Sequence, residues 1–258
     1  MLKIENVKKT FLKGTINEKT VLNGVDLILE EGDFVTVIGS NGAGKSTLLN
    51  AIAGTFDIDE GKIYIDDVDI TKYPEYKRAK YIGRVFQDPM MGTASDMWIE
   101  ENLALANRRG GKRGLGQGIN NEERKIYKDL LSEFDLGLED RLDTKVGLLS
   151  GGQRQAITLL MATLKQPKLL LLDEHTAALD PKTAQRVLDI TDKVVEKYKL
   201  TTFMVTHNMK DAIKHGNRLI MMHEGQIVLD IKGEEKKKLT VEKLLSKFNI
   251  SDDDLLLK

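Results

Sequence analysis

Residues Gly39-Ser40-Asn41-Gly42-Ala43-Gly44-Lys45-Ser46-Thr47 constrain this chain more than any other stretch. They follow an apolar run, Phe34-Val35-Thr36-Val37-Ile38, and lead into the helical spacing Leu48, Leu49, Ile52, which closes at Gly54. Two glycines five apart, then Lys and Ser, between a strand and a helix, is the spacing of a phosphate-binding loop, or P-loop. Glycine lets the backbone wrap an anion where a side chain would block it. The open N–H groups and the positive end of the following helix then face the phosphates. Lys45 adds a point charge for β/γ-phosphates. Ser46 offers a hydroxyl to Mg²⁺, with Thr47 beside it. This context predicts an α/β architecture. With 258 residues, 41% of them hydrophobic and 31% charged, the chain can bury a core as one large domain or two closely joined lobes.

Other properties narrow the partners. The formal net charge is −1, which argues against a nucleic-acid polyanion as the main partner. There is no Cys, so disulfides, Cys-ligated zinc and thiol catalysis are excluded. Met1-Leu2-Lys3-Ile4-Glu5 carries charges where a signal peptide needs an apolar core. The longest uninterrupted aliphatic stretch, Leu169–Leu172, is far short of a membrane span. The chain is expected to be soluble by itself, and a membrane role would need another chain.

In chain order, residues 2–10 alternate as a half-buried strand does, and so do Val25, Leu27, Leu29 and Ile63, Ile65. These segments predict an antiparallel β layer beside the nucleotide core. Phe11, at the end of the first strand, suits stacking on a purine or ordinary strand-end packing. Tyr81–Phe86 reads as a strand broken by Pro89, which leaves Gln87 at a strand exit, facing either a ligand or a surface turn. Residues 97–107 and Glu122–Phe134 (Ile126, Leu130, Leu131, Phe134) read as helices. Between them 108–118 is basic and Gly-rich. It reads as a mobile solvated loop or as a basic contact to a partner or anionic lipid.

Leu149-Ser150-Gly151-Gly152-Gln153 opens a helix over Gln153–Leu164, with Ser150 as N-cap, and offers a second anion site. Leu169–Leu172 then reads as a buried parallel strand delivering Asp173 and Glu174 at its C-terminal end. Asp173 suits Mg²⁺ coordination, and Glu174 suits a base that orients an attacking water. Thr202–Thr206 is a further buried strand, placing His207 where it can meet a γ-phosphate or serve structure alone. Leu219–Leu229 reads as a hairpin. Glu234–Lys238 reads as a solvated turn, Leu244, Leu245 and Phe248 as one short amphipathic helix, and Ser251–Asp254 as the start of a tail.

Taken together, the P-loop, Leu149–Gln153 and Leu169–Glu174 resemble those of the ABC ATPase family, specifically a free-standing nucleotide-binding subunit of an ABC transporter. The resemblance covers residues 1 to about 245. It implies a P-loop NTPase fold with an antiparallel β layer and an inserted α-helical subdomain. That is one domain of 1–245, with a core of about 1–92 and 146–230, a helical subdomain of about 93–145, and a short charged tail over 246–258. It makes Gln87 the Q-loop glutamine, catalytic and Mg²⁺-facing. It also makes Ala177-Ala178-Leu179-Asp180 the D-loop, His207 the switch histidine and Phe11 the adenine-stacking aromatic, where Phe replaces the more usual Tyr. His175 stands where many members carry Pro or Ala.

In the family two subunits pair head to tail, so the resemblance implies a homodimer in which Leu149, Ser150, Gly151, Gly152 and Gln153 cap the ATP held by the partner's P-loop. It implies ATP and Mg²⁺ as cofactors, and membrane permease chains as partners at the cytoplasmic face of the membrane. The run Glu174–Ala184 is similar to a subgroup of bacterial importers paired with solute-binding lipoproteins, some linked to aromatic amino acids. The function implied is an ATP-hydrolysing motor of an importer. The alternatives are the motor of an exporter and a soluble ABC ATPase of cofactor assembly. A coiled-coil repair member does not fit the short distance from Gln87 to Leu149. A two-cassette translation member does not fit motifs that occur once. A non-hydrolysing scaffold does not fit the presence of Lys45, Asp173, Glu174 and His207 together.

Overall fold

The computed structural model describes residues 1–111 and 118–246. The middle of the basic Gly-rich stretch, Phe248 and Ser251–Asp254 lie outside the described residues. The alternating N-terminal segments become β1 (Leu2–Phe11) and β2 (Lys19–Leu29), paired antiparallel with Leu2 opposite Leu29 and Phe11 opposite Lys19. The apolar run is β3 (Phe34–Ile38), and the P-loop carries it into α1 (Lys45–Ala53), which Gly54 ends in a left-handed turn. Next, β4 (Glu60–Ile65) pairs with the free edge of β1, and short β5 (Val68–Asp69) with β4. Leu2, Ile4, Leu27, Leu29, Ile63 and Ile65 all point to one buried face, as period-two patterning requires.

After α2 (Glu75–Arg78) and β6 (Ile82–Val85) the chain turns helical, with α3 (Ile99–Asn107), α4 (Asn121–Ser132) and α5 (Gly151–Thr163). It then alternates again: β7 (Leu169–Asp173), α6 (Pro181–Tyr198), β8 (Thr201–Val205), α7 (Met209–Lys214), β9 (Arg218–His223) and β10 (Gln226–Lys232). The short helices α8 (Glu234–Lys237) and α9 (Val241–Ser246) follow.

Among the described residues the strands form two sheets. One is antiparallel, in the order β2-β1-β4-β5. The other runs β10-β9-β3-β8-β7-β6, parallel except where β10 pairs with β9. The central strands are apolar throughout because both faces are covered. Val35, Val37, Leu169, Leu171, Phe203 and Val205 pack with α1 and the antiparallel sheet. Phe34, Val85, Leu170, Leu172 and Met204 pack with α3 to α6. The P-loop helix α1 and the helix α5 behind Leu149–Ser150 therefore lie on opposite faces of one sheet.

Three expectations need correction. Glu234–Lys238 is not a solvated turn: it contains α8, and Lys236 is buried. The Lys236 ammonium donates to the carbonyls of His215, Gly216 and Arg218 and to Thr36 Oγ1, and so pairs the carbonyls of the turn before β9. In α4 the buried stripe is Tyr127 and Leu131, continued by Phe134, while Ile126 is 49% exposed. The helix sits about one residue out of the phase read from its aliphatic positions, because a tyrosine can enter the core when its hydroxyl finds a partner, here Asn107 Nδ2. Finally, Arg108 and Arg109 are not free basic contacts. Arg108 pairs with Glu123 at 3.1 Å, and Arg109, half-buried, donates to the Ala162 carbonyl.

Candidate functional site

The loop between β3 and α1 is shaped by its neighbours. Gly39 has φ +150°, and a Cβ there would run into the Met222 carbonyl oxygen at the end of β9. The Gly225 N–H donates to the Ala43 carbonyl at 3.0 Å, so the β9–β10 hairpin braces the loop from behind. Gly44 caps α1 without a side-chain hydrogen bond, which leaves the first N–H groups of the helix open for an anion. Lys45 is buried, and its Nζ donates to the carbonyls of Gly39 (2.7 Å) and Ser40 (3.0 Å). Burial lowers its pKa, opposed by the nearby Glu174 and Asp173 carboxylates. A buried ammonium held by two loop carbonyls at the mouth of a helix N-terminus suits a phosphate.

β7 brings the acids to the same sheet edge. Burial raises the pKa of the Asp173 carboxyl, and Arg84 and the Ser46 hydroxyl oppose that rise. Glu174 leaves the strand at φ +47°, with its N–H donated to the Val205 carbonyl at 3.0 Å. His207, just past β8, places Nε2 2.5 Å from Glu174 Oε1. An imidazole bonded to a carboxylate at a strand end can orient water and receive its proton. Among the described residues no cluster of three or more His, Asp and Glu side chains forms a protein-only metal cage. Mg²⁺ does not need one: a carboxylate, a hydroxyl, waters and substrate phosphates suit it, and the Asp173 carboxylate with the Ser46 hydroxyl fits that donor set. Gln87 is exposed at the β6 exit and lines, with Asp173 and Arg84, a cavity of about 640 Å³.

The other candidates lie elsewhere. Phe11 is half-buried and packs edge-on against Phe56, with centroids 5.3 Å apart, and Lys9 Nζ sits 5.4 Å from its ring. Leu149 is buried. Ser150 caps α5, accepting from Gln153 N at 3.3 Å, while Gln153 Oε1 accepts from Ser150 N at 3.2 Å. Gly151 is exposed. Gly152 touches α6 so closely that a Cβ would collide with Thr183 Cγ2. Asp180 caps α6 through Thr183 N at 3.1 Å. The P-loop, Asp173, Glu174, His207 and Gln87 thus gather at the C-terminal edge of the central sheet, and Leu149–Gln153 does not join them.

Sequence reasoning missed Arg84 and Arg78 and had no account of His175. A charge inside the apolar run Ile82–Phe86 was the signal for Arg84. Nothing marked Arg78, whose buried guanidinium donates to the carbonyls of Ala51, Ile52, Thr71 and Tyr73. His175 is buried, with Nε2 3.2 Å from Thr191 Oγ1 on α6; that hydroxyl already donates to the Val187 carbonyl, so the ring must be the donor.

The family model described as ABC transporter matches residues 22–177. The chain is 48% identical over 248 residues to a tyrosine transport ATP-binding protein of Clostridioides difficile (strain R20291), covering 96% of this chain and 98% of that one. It is 35% identical to an energy-coupling factor transporter ATP-binding protein of Clostridium perfringens (strain 13 / Type A), covering 94% and 84%. A dimeric ATP-binding cassette solved in a post-hydrolysis state with ADP and Pi has TM-score 0.76 and 32% identity, covering 90% of this chain and 98% of that one. A P-loop braced on one face of the sheet, a capped glycine pair on the other, and these likenesses agree: the chain belongs to the ABC transporter family, as an ATP-binding subunit that hydrolyses ATP.

Proposed function

We propose that this ATPase is the motor of an importer, working as a head-to-tail homodimer on separate permease chains at the cytoplasmic face of the membrane. The observation that carries the site assignment is the Glu174–His207 pair beside a buried Lys45. In this reading ATP sits on Gly39–Thr47, with its base near Phe11. Lys45 binds the β/γ-phosphates, and Ser46, Gln87 and Asp173 hold Mg²⁺, which supplies charge neutralisation there. Glu174 orients the water and takes its proton, and His207 holds Glu174 and meets the γ-phosphate. Leu149–Gln153 of the second copy closes over the nucleotide, and Asp180 faces it across the interface.

Residues 1–245 act as one unit, the core over about 1–92 and 146–230 and the helical subdomain over about 93–145, with 246–258 as a charged tail. Loop 87–97 passes closure to the permease. Support comes from the cavity at Gln87, where Met91 is 70% exposed, and from the dimeric cassette of matching fold. The 48% likeness to a tyrosine transport subunit supports an aromatic amino acid as cargo, delivered by a solute-binding lipoprotein through the permease.

The Glu174→Gln chain should bind ATP, hydrolyse little of it and persist as a closed dimer; wild-type turnover by that variant removes the base assignment. Tagged Glu174→Gln, purified from mild-detergent membranes, should carry a polytopic protein and a lipoprotein in fixed ratio, identified by mass spectrometry. A polytopic partner without a lipoprotein points to an exporter. Cytosolic partners alone overturn the transport reading in favour of cofactor assembly.

A further inference from the structure

Arg84 is a charge in the middle of an apolar edge strand, β6, three residues before Gln87. Its guanidinium donates to Asn50 Oδ1 at 2.6 Å and Thr55 Oγ1 at 3.1 Å, around the end of the P-loop helix. The Phe86 ring lies 4.4 Å from its Cζ. Nη2 comes within 3.7 Å of Asp173 Oδ2, and Nη1 within 3.9 Å of Glu75 Oε1. Nε is buried with no partner among the described residues. The side chain is only 14% exposed.

This arrangement is poor as a device for stability. A guanidinium taken from water with one donor unpaired costs free energy that an aliphatic side chain at the same strand position would not. What the charge gains is proximity to Asp173, along the wall of the cavity that Gln87 also lines. A cation held beside a carboxylate reduces that carboxylate's attraction for a second cation, by direct Coulomb opposition weakly screened in a part-buried site.

We propose that Arg84 is a positioning residue for hydrolysis: it holds the Asp173 carboxylate from the cavity side and sets the Mg²⁺ requirement of the site. The inference rests on the reading of Asp173 as a Mg²⁺ ligand. Arg84 restrains a group that would otherwise bind the metal too firmly, and it ties that restraint to the wall of the cavity where Gln87 leaves the sheet. Movement at that wall then changes how freely Asp173 meets the metal.

The test uses the full chain with a non-hydrolysable ATP analogue and Mn²⁺ as a paramagnetic stand-in, with free Mn²⁺ read by electron paramagnetic resonance. Half-saturation of hydrolysis by Mg²⁺ is measured alongside. Arg84→Gln, which can keep a bond to Asn50 but loses the charge, should bind Mn²⁺ roughly fivefold more tightly and need correspondingly less Mg²⁺. Nucleotide affinity in EDTA should stay as in wild type. Arg84→Lys, which keeps the charge, should stay within about twofold of wild type. Arg84→Met should repeat the Gln result; if it does not fold, Arg84→Gln decides. An unchanged or weakened metal affinity in Arg84→Gln, with wild type clearly metal-dependent, overturns the role of Arg84 alone. A wild-type chain that ignores Mg²⁺ and Mn²⁺ overturns the Mg²⁺ reading as well.

Discussion

At the scale of single residues, the site consists of charges held in places where water is scarce. Lys45 is the plainest case, because its buried ammonium donates to the Gly39 and Ser40 carbonyls with the Glu174 and Asp173 carboxylates near by. Lys45→Ala should weaken binding of a fluorescent ATP analogue by at least about tenfold, and an unchanged titration would remove Lys45 from the site. His175 behaves differently. Burial, and the nearby His215, hold its pKa down at about 4, against 6.5 for a free histidine. Below pH 6.5 the unfolded chain takes up a proton that the folded chain refuses. Stability from this residue is therefore complete above pH 6.5 and falls as pH drops towards 4, by up to about 3 kcal/mol. His175→Asn keeps a donor for Thr191 and cannot titrate, so its denaturant midpoint should fall less than that of wild type between about pH 7 and pH 5. Parallel slopes for the two proteins would mean that His175 does not titrate as its burial implies.

At the scale of elements, a close approach between two helices explains a glycine. Helix α5 lies against α6 so tightly at Gly152 that the smallest side chain would meet Thr183 Cγ2. Gly152→Ala should destabilise the chain by about 1–3 kcal/mol, and Thr183→Ala in the same chain should recover most of that loss, read as the unfolding midpoint. Failure of the second change to rescue the first would place the strain elsewhere. Arg78 serves α1 in a comparable way. Its guanidinium takes the last carbonyls of the helix, Ala51 and Ile52, and ties them to the Thr71–Tyr73 turn. Arg78→Leu removes the guanidinium donor from these carbonyls, of which Ala51 keeps only the Gly54 N–H, and should cost about 2–4 kcal/mol by the same measurement, with nucleotide affinity changed less than stability.

For the whole molecule, the sheet that joins the elements also separates them: α1 and its P-loop cover one face, and α5 covers the other. In the proposed reading one chain carries two half-sites that do not face each other, which is the ground for a composite site between copies. Mixing Lys45→Ala chains with Ser150→Arg chains in equal amounts should restore roughly a quarter of the wild-type ATPase rate, although each alone is inactive. Half of the random pairs are mixed, and each mixed pair has one intact site. No recovery would mean that the glycine pair does not act on the partner's nucleotide. The local pattern of this chain determined a good deal by itself. Gly39–Thr47, Ser150–Gln153 and Leu169–Glu174 are short-range arrangements of turn, cap and strand end, and their chemistry follows from residue type and spacing. The alternation of Leu2–Ile4 or Ile63–Ile65 likewise fixes a half-buried strand. Only the tertiary structure decided what lies beside what: that Arg84 reaches Asp173, that His175 bonds Thr191, that Lys236 enters the core, and that Tyr127 rather than Ile126 does so in α4. Those pairings join residues far apart in sequence or rank neighbours by which one finds a buried partner, and periodicity carries neither kind of information.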